Sequence, residues 1–141
     1  MLDCLNFHYD VDGENFVSAG NASVAVKKNL RELGLAPELI RRVSIAMYEG
    51  EINMVIHAGG GTADVDVFED RIVINLQDSG PGIKDIDLAM QEGYSTATDN
   101  VRALGFGAGM GLPNMKRYTD EMRIYSEAGK GTTITMCVLI K

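Results

Sequence analysis

The chain predicts a two-layer α/β sandwich of the α+β kind: a mixed, mostly antiparallel sheet with helices packed on one face. Three observations carry this. The segments run β-α-α-β-β-α-loop-α-β-β, so strands mostly follow strands rather than alternating with helices, which excludes a doubly wound parallel sheet. Residues 62–68 and 71–77 place Val65, Val67, Ile72, Ile74 and Leu76 alternately with polar residues, the period of half-buried strands. Between Pro37 and the run Gly59-Gly60-Gly61 lies one long apolar-periodic stretch, opened and closed by residues that start and stop helices.

The elements follow in order. Leu5 to Val11 alternates loosely and reads as the first strand, and Asp12-Gly13 turns the chain. From Glu14 to Leu33, Phe16, Val17, Val24, Val26 and Leu30 fit a helix moderately, with Gly20 and Asn21 placed to bend or break it and Gly34 to end it. The second helix runs from about Pro37 to Ala58. The strands Thr62–Phe68 and Arg71–Gln77 are linked only by Glu69-Asp70, which suggests a hairpin. Ile83 to Met90 reads as a short helix. Gln91 to Gly111 has no sustained apolar period, which in a compact domain marks a functional loop or disorder. Leu112 to Tyr118 reads as a short helix, and Glu121–Ser126 and Thr132–Ile140 as the last strands, turned by Ala128-Gly129-Lys130-Gly131.

Composition bounds the function. The 141 residues suit a single domain, 1–141, and 45% are apolar, enough for a core. Twenty acidic against 13 basic side chains give a net charge of -7 with no basic run, so nucleic acid is not an expected partner. An acidic chain can still bind a nucleotide, because backbone amides and a metal ion neutralise phosphate locally. Cys4 and Cys137 lie in apolar segments near opposite ends, without metal-ligand spacing, and read as core thiols. There is no signal-peptide pattern and no apolar stretch near the roughly 18 residues of a membrane helix, so a cytoplasmic protein with no membrane partner is expected.

Three short constellations carry chemistry. The first is Leu104-Gly105-Phe106-Gly107-Ala108-Gly109-Met110-Gly111-Leu112-Pro113, in which alternating glycines precede a helical pattern. Such glycines let backbone N–H groups crowd around an anion, with a helix N-terminus behind them; a flexible linker is the other reading. The spacing is not the dinucleotide fingerprint, since Leu112 stands where a third glycine is required. Nor is Gly129-Lys130 a Walker A loop, with Ile124 in place of its first glycine and Gly131 in place of Ser or Thr. The second is Glu49, Asn53 and His57 at i, i+4 and i+8, one stripe of the long helix. Either this is the polar edge of an amphipathic helix with His57 favoured by the dipole, or Asn53 ligates Mg²⁺ and Glu49 accepts a proton beside a γ-phosphate. Glu51, off that stripe, is expected to be solvated. The third is Asp78-Ser79-Gly80-Pro81-Gly82 at a strand end: an ordinary turn, or a carboxylate accepting from the adenine amine with Gly82 admitting the base.

Taken together, these residues resemble the ATP-binding fold shared by DNA gyrase, a heat-shock chaperone, sensor histidine kinases and the mismatch-repair protein MutL. Glu49-x-x-x-Asn53 resembles its N box, Asp78-x-Gly80-x-Gly82 the first glycine box, Gly107-x-Gly109-x-Gly111-Leu112 the second, and Gly131-Thr132 its threonine region. The chain has no room for a dimerisation helix with a phosphoacceptor histidine. It is more similar to the small stand-alone serine kinases of bacterial partner switching, the anti-sigma factors and the stress-signalling switch kinases. Asp78-Ser79-Gly80-Pro81-Gly82-Ile83, Gly93-Tyr94-Ser95-Thr96, Gly109-Met110-Gly111-Leu112-Pro113, Lys116-Arg117, Asp120-Glu121 and Glu127-Ala128-Gly129-Lys130-Gly131-Thr132 carry that likeness.

The resemblance implies the histidine-kinase-type ATPase fold, with ATP and Mg²⁺ as cofactors. It implies Glu49 as catalytic base, Asn53 as Mg²⁺ ligand and Asp78 as adenine anchor, with His57, Gly80, Gly82, Ile83 and Thr132 around the nucleotide. Residues 93–111 would form an ATP lid, in which Gly107, Gly109 and Gly111 supply backbone amides to the phosphates and Arg102 reaches the γ-phosphate; Ser95, Thr96, Ala108, Met110 and Leu112 are implied to bind the nucleotide as well. Residues 97–103 make this lid longer than that of the switch kinases. The implied activity is serine/threonine phosphorylation of a small antagonist protein of the anti-anti-sigma type. A nucleotide-gated module that binds a sigma factor and a plain ATPase are the alternatives, and a homodimer is the remaining partner expectation.

Overall fold

The computed structural model describes residues 4–13, 19–82, 90 and 111–140. The chain folds as β1 (Leu5–Asp12), α1 (Asn21–Glu32), α2 (Pro37–His57), β2 (Gly60–Val67), β3 (Arg71–Asp78), α3 (Gly111–Arg117), β4 (Glu121–Glu127) and β5 (Gly131–Leu139). The five strands form one sheet in the order β1-β2-β3-β5-β4. All four pairings are antiparallel, so among the described strands the sheet has no parallel component. The expected helix over Ile83–Met90 lies outside the described residues except for Met90, which packs partly buried against the core.

Alternation in the strands decides which face is covered. Register lines up Val65, Ile74, Met136 and Met122 across four strands, and Ala63, Leu76, Ile134 and Ile124 in the next row. These rows meet Val26 and Leu30 of α1, Val43 and Met47 of α2 and Met115 of α3 in one core. Fully burying a valine, leucine, isoleucine or methionine side chain in this core contributes roughly 1.5–3 kcal/mol. The other face of the sheet is polar: Asn6 Nδ2 donates to Asp66 at 2.6 Å, His8 Nδ1 pairs with Asp64 at 2.8 Å, and Thr135 Oγ1 donates to Asn75 at 2.8 Å. Among the described residues, helices therefore cover one face only, as the sequence predicts.

Helix boundaries follow local chemistry. Gly20 precedes α1 at φ 99°, left-handed backbone that glycine adopts without strain, so α1 does not run back through it; residues 14–18 of the helix expected from Glu14 lie outside the described residues. Ala36 enters α2 extended and Pro37 opens it. Neither Gly20 nor Ala36 caps its helix with a side chain. For α1 the cap comes from elsewhere. Glu51 of α2 is 2% exposed, and its carboxylate accepts from the N–H groups of Gly20 (2.9 Å), Ala22 (3.1 Å) and Ser23 (3.0 Å) and from the Ser23 hydroxyl (2.7 Å). This corrects the expectation that Glu51 is solvated. Helix α2 is covered on two sides, by the sheet and by the start of α1, where unpaired N–H groups and the dipole favour an anion.

Candidate functional site

The stripe on α2 stands where the sequence predicts it. Glu49 and Asn53 are half-buried beside the apolar face of the helix, and His57 is at its exposed end. Partial burial pushes the His57 imidazole below its ordinary pKa, which favours the neutral ring. Between them Gly50 brings α2 close to the sheet: a Cβ there would overlap the Leu76 side chain and lie 3.3 Å from the Met115 sulfur. Leu76 is two residues before Asp78 on the same strand. At the end of α2, Ala58 packs on Gly80, where a Cβ would lie 2.6 Å from the Ala58 Cα. The stripe thus runs along β3 towards the turn that follows it.

That turn is built around Asp78. Register places Asp78 opposite Thr132, and Asp78 Oδ1 accepts from the N–H groups of Gly80 (3.0 Å) and Thr132 (3.2 Å). Among the described residues nothing bonds its Oδ2, so a carboxylate held by one oxygen presents the other. Gly82, at φ 82°, would bring a Cβ to 2.6 Å from the Glu127 carbonyl oxygen, and Gly129 N–H donates to the Pro81 carbonyl at 2.9 Å. Gly80-Pro81-Gly82 is therefore clasped between the end of α2 and the β4–β5 turn. Thr132 is 7% exposed, and its hydroxyl shares a 2.9 Å hydrogen bond with Ser126, which also donates to the Gly131 carbonyl at 3.3 Å.

From the other side α3 closes on Glu49. Gly111 begins this helix, and Leu112 is 6% exposed, its side chain in the core, so any contact it makes with a ligand passes through the backbone. Asn114 Nδ2 donates to Glu49 Oε1 at 3.3 Å. The structure thus brings together Glu49, Asn53, Asp78, Gly80, Gly82 and Thr132 around the seam between α2, the end of β3 and the β4–β5 turn. Ile83, Ser95, Thr96, Arg102, Gly107, Ala108, Gly109 and Met110 lie outside the described residues. Asn114 and Ser126 were not anticipated. A helix-poor Asn between Leu112 and Met115, and a serine in register with Thr132, are the only sequence signals they leave.

The donor set fits a magnesium nucleotide. The half-buried Asn53 amide has no hydrogen-bond partner among the described residues and is a hard oxygen ligand. Asp78 Oδ2 is an acceptor suited to an exocyclic amine.

This fold and arrangement define a class. Residues 17–138 match the model of the histidine kinase-like ATPase domain, and the chain belongs to that family. Within it, the serine/threonine-protein kinase RsbT of Bacillus subtilis is 36% identical over 108 residues, covering 74% of this chain and 75% of that protein. The anti-sigma F factor of Clostridium acetobutylicum is 36% identical over 120 residues, 82% of this chain and 80% of that protein. Among solved structures, the RsbU and RsbW domains of Rv1364c from Mycobacterium tuberculosis superpose with a TM-score of 0.66 at 18% identity. That match covers 96% of this chain and 32% of that one. The mycobacterial sensor histidine kinase MprB gives a TM-score of 0.55 at 14% identity, over 96% and 97%. The structural likenesses speak for the fold alone.

Proposed function

We propose that this chain is an ATP-dependent serine/threonine protein kinase of a bacterial partner-switching pathway, and that its phosphoacceptor is a small antagonist protein of the anti-anti-sigma type. The observation that carries this reading is Glu49. Holding a nucleotide needs Asn53, Asp78 and the glycines. It does not need a half-buried carboxylate one helical turn from the metal ligand, braced by Asn114.

In this reading Asp78 Oδ2 accepts from the adenine amine, with Gly80, Gly82 and Thr132 shaping the base pocket, and Asn53 ligates Mg²⁺. MgATP supplies the γ-phosphoryl group with its charge partly neutralised. The acceptor hydroxyl oxygen bonds to the γ-phosphorus as the bond to the β-phosphate oxygen breaks and ADP leaves, and Glu49 takes the hydroxyl proton.

The test is incubation with labelled ATP and candidate antagonist proteins, followed by location of the phosphoresidue. Glu49→Ala is expected to keep nucleotide binding and lose transfer by roughly 10²- to 10⁴-fold, the usual contribution of a general base. Asn53→Ala is expected to weaken Mg²⁺-dependent binding itself. Transfer left intact by Glu49→Ala would make the stripe structural.

A second reading is supported by the similarity to anti-sigma F factors: a nucleotide-gated module that sequesters a sigma factor. Sigma-factor capture that survives Glu49→Ala, with no phosphate on any antagonist, would favour it. Size-exclusion in either assay also tests for a homodimer.

A further inference from the structure

We propose that Asn114 is a positioning residue for the Glu49 carboxylate, an inference that rests on the kinase reading and names the group that aims its base. An ionised carboxylate only accepts hydrogen bonds, so the amide face turned to Glu49 Oε1 at 3.3 Å is the donor Nδ2. That contact occupies one carboxylate oxygen and leaves Oε2 to receive a proton. It also removes freedom: a glutamate on a helix has three side-chain torsions to settle before it can act, and fixing one oxygen settles the last of them.

The chemistry of the brace suits a base. A lysine or arginine at 114 would pair with Glu49 and lower its basicity, and a carboxylate would repel it. A neutral amide orients the carboxylate through one hydrogen bond and brings no charge of its own. The brace is also anchored by packing. Leu112 and Met115 flank Asn114 and are buried, at 6% and 0% exposure, and the Thr119 hydroxyl donates to the Met115 carbonyl at 2.8 Å. The Met115 sulfur also stands only 3.3 Å from where a Cβ on Gly50, the residue next to Glu49, would lie. Helix α3 therefore seats Asn114 against the very turn of α2 that carries the base.

Two measurements test this. In the nitrogen–proton spectrum of the intact chain, the Asn114 side-chain amide is expected to shift on Glu49→Ala; an unmoved resonance overturns the contact. In the transfer assay, Asn114→Ala is expected to lower kcat about tenfold with the Kd for MgATP unchanged, the pattern of a misaligned group rather than lost binding. In a Glu49→Ala background the same change is expected to cost nothing further, since it acts through Glu49. Asn114→Asp is the isosteric second variant and is expected to lose at least as much. Full kcat in a folded variant, or equal losses in both backgrounds, would overturn the proposal. If the parent protein transfers no phosphate at all, the kinase reading fails, and the spectrum still decides whether Asn114 holds Glu49.

Discussion

Glu51 and His8 show what single side chains do here, in opposite environments. Glu51 is buried and its two oxygens satisfy four donors at the start of α1. Hydrogen bonds to a charged group contribute more than neutral ones, and three orphaned backbone N–H groups would be left behind by its removal. Glu51→Ala is therefore expected to cost about 2–4 kcal/mol, read as a lower denaturation midpoint with little change in slope. A loss under about 0.5 kcal/mol would mean that water replaces the carboxylate freely. His8 lies on the open sheet face, where hydrogen bonds to Asp64 and then Asp10 raise its pKa above the ordinary 6.5. A raised folded pKa means that protonation favours the fold. The contribution is present in full below 6.5 and is lost as pH rises through the folded pKa. The stability gap between the parent and His8→Gln is thus expected to narrow as pH rises from about 6 to about 8. The lowered pKa of His57 works in the other direction, but it is common to both proteins and cancels in the difference. A gap that widens with pH would rule out the Asp64 pairing in solution.

Among the elements, α2 decides the geometry of the site, and Gly50 decides the position of α2. Ala is the better helix former by about 1 kcal/mol, so an exposed Gly50→Ala would stabilise. Here the added Cβ meets Leu76, which is 2% exposed, with the Met115 sulfur 3.3 Å away. Overpacking a core typically costs about 1–3 kcal/mol, so the clash is expected to win and Gly50→Ala to destabilise by up to about 2 kcal/mol net. Because Glu49 is the adjacent residue, transfer is expected to fall more than stability would explain; a stabilised, fully active variant would show that α2 has room. The same helix shows what a sequence makes legible. Its limits at Pro37 and Gly59, the strand alternation and the Glu49–Asn53 stripe are local signals, and the structure repeats them within a residue or two. The burial of Glu51 is not legible because helical periodicity gives directions relative to one stripe but not what else packs on the helix. Asn114 leaves no local signal because its partner is 65 residues away, and the pairing of Asp78 with Thr132 is a register set by two strands 54 residues apart. The break at Gly20 was anticipated, but not the glutamate that caps the helix behind it.

At the scale of the whole molecule, the candidate site joins parts that are far apart in sequence: residues 49–53 on α2, 78–82 after β3, and 131–132 at the start of β5. The unfolded chain cannot hold these together, so a ligand that bridges them binds the native state and not the unfolded one. Such a ligand at about 100 times its dissociation constant adds about 2.7 kcal/mol. For a domain of this size that corresponds to a rise in Tm of roughly 10 °C. MgATP and MgADP are both expected to produce it, since both carry adenine and Mg²⁺-bound phosphates. Asp78→Asn separates the proposed base pocket from the rest. Its amide can still turn its carbonyl oxygen to the N–H groups of Gly80 and Thr132, so the turn should survive and the nucleotide-free Tm should change little. What it then presents in place of Oδ2 is an N–H donor facing the donor of the adenine amine. Two opposed donors leave a buried mismatch, and discrimination of that kind is strong because the unpaired groups have no water to turn to. The variant is expected to lose most of the Tm rise with MgATP. A variant that unfolded early would instead make Asp78 a structural residue, and one that kept the full rise would remove it from the adenine site while leaving the phosphate end of the site in place.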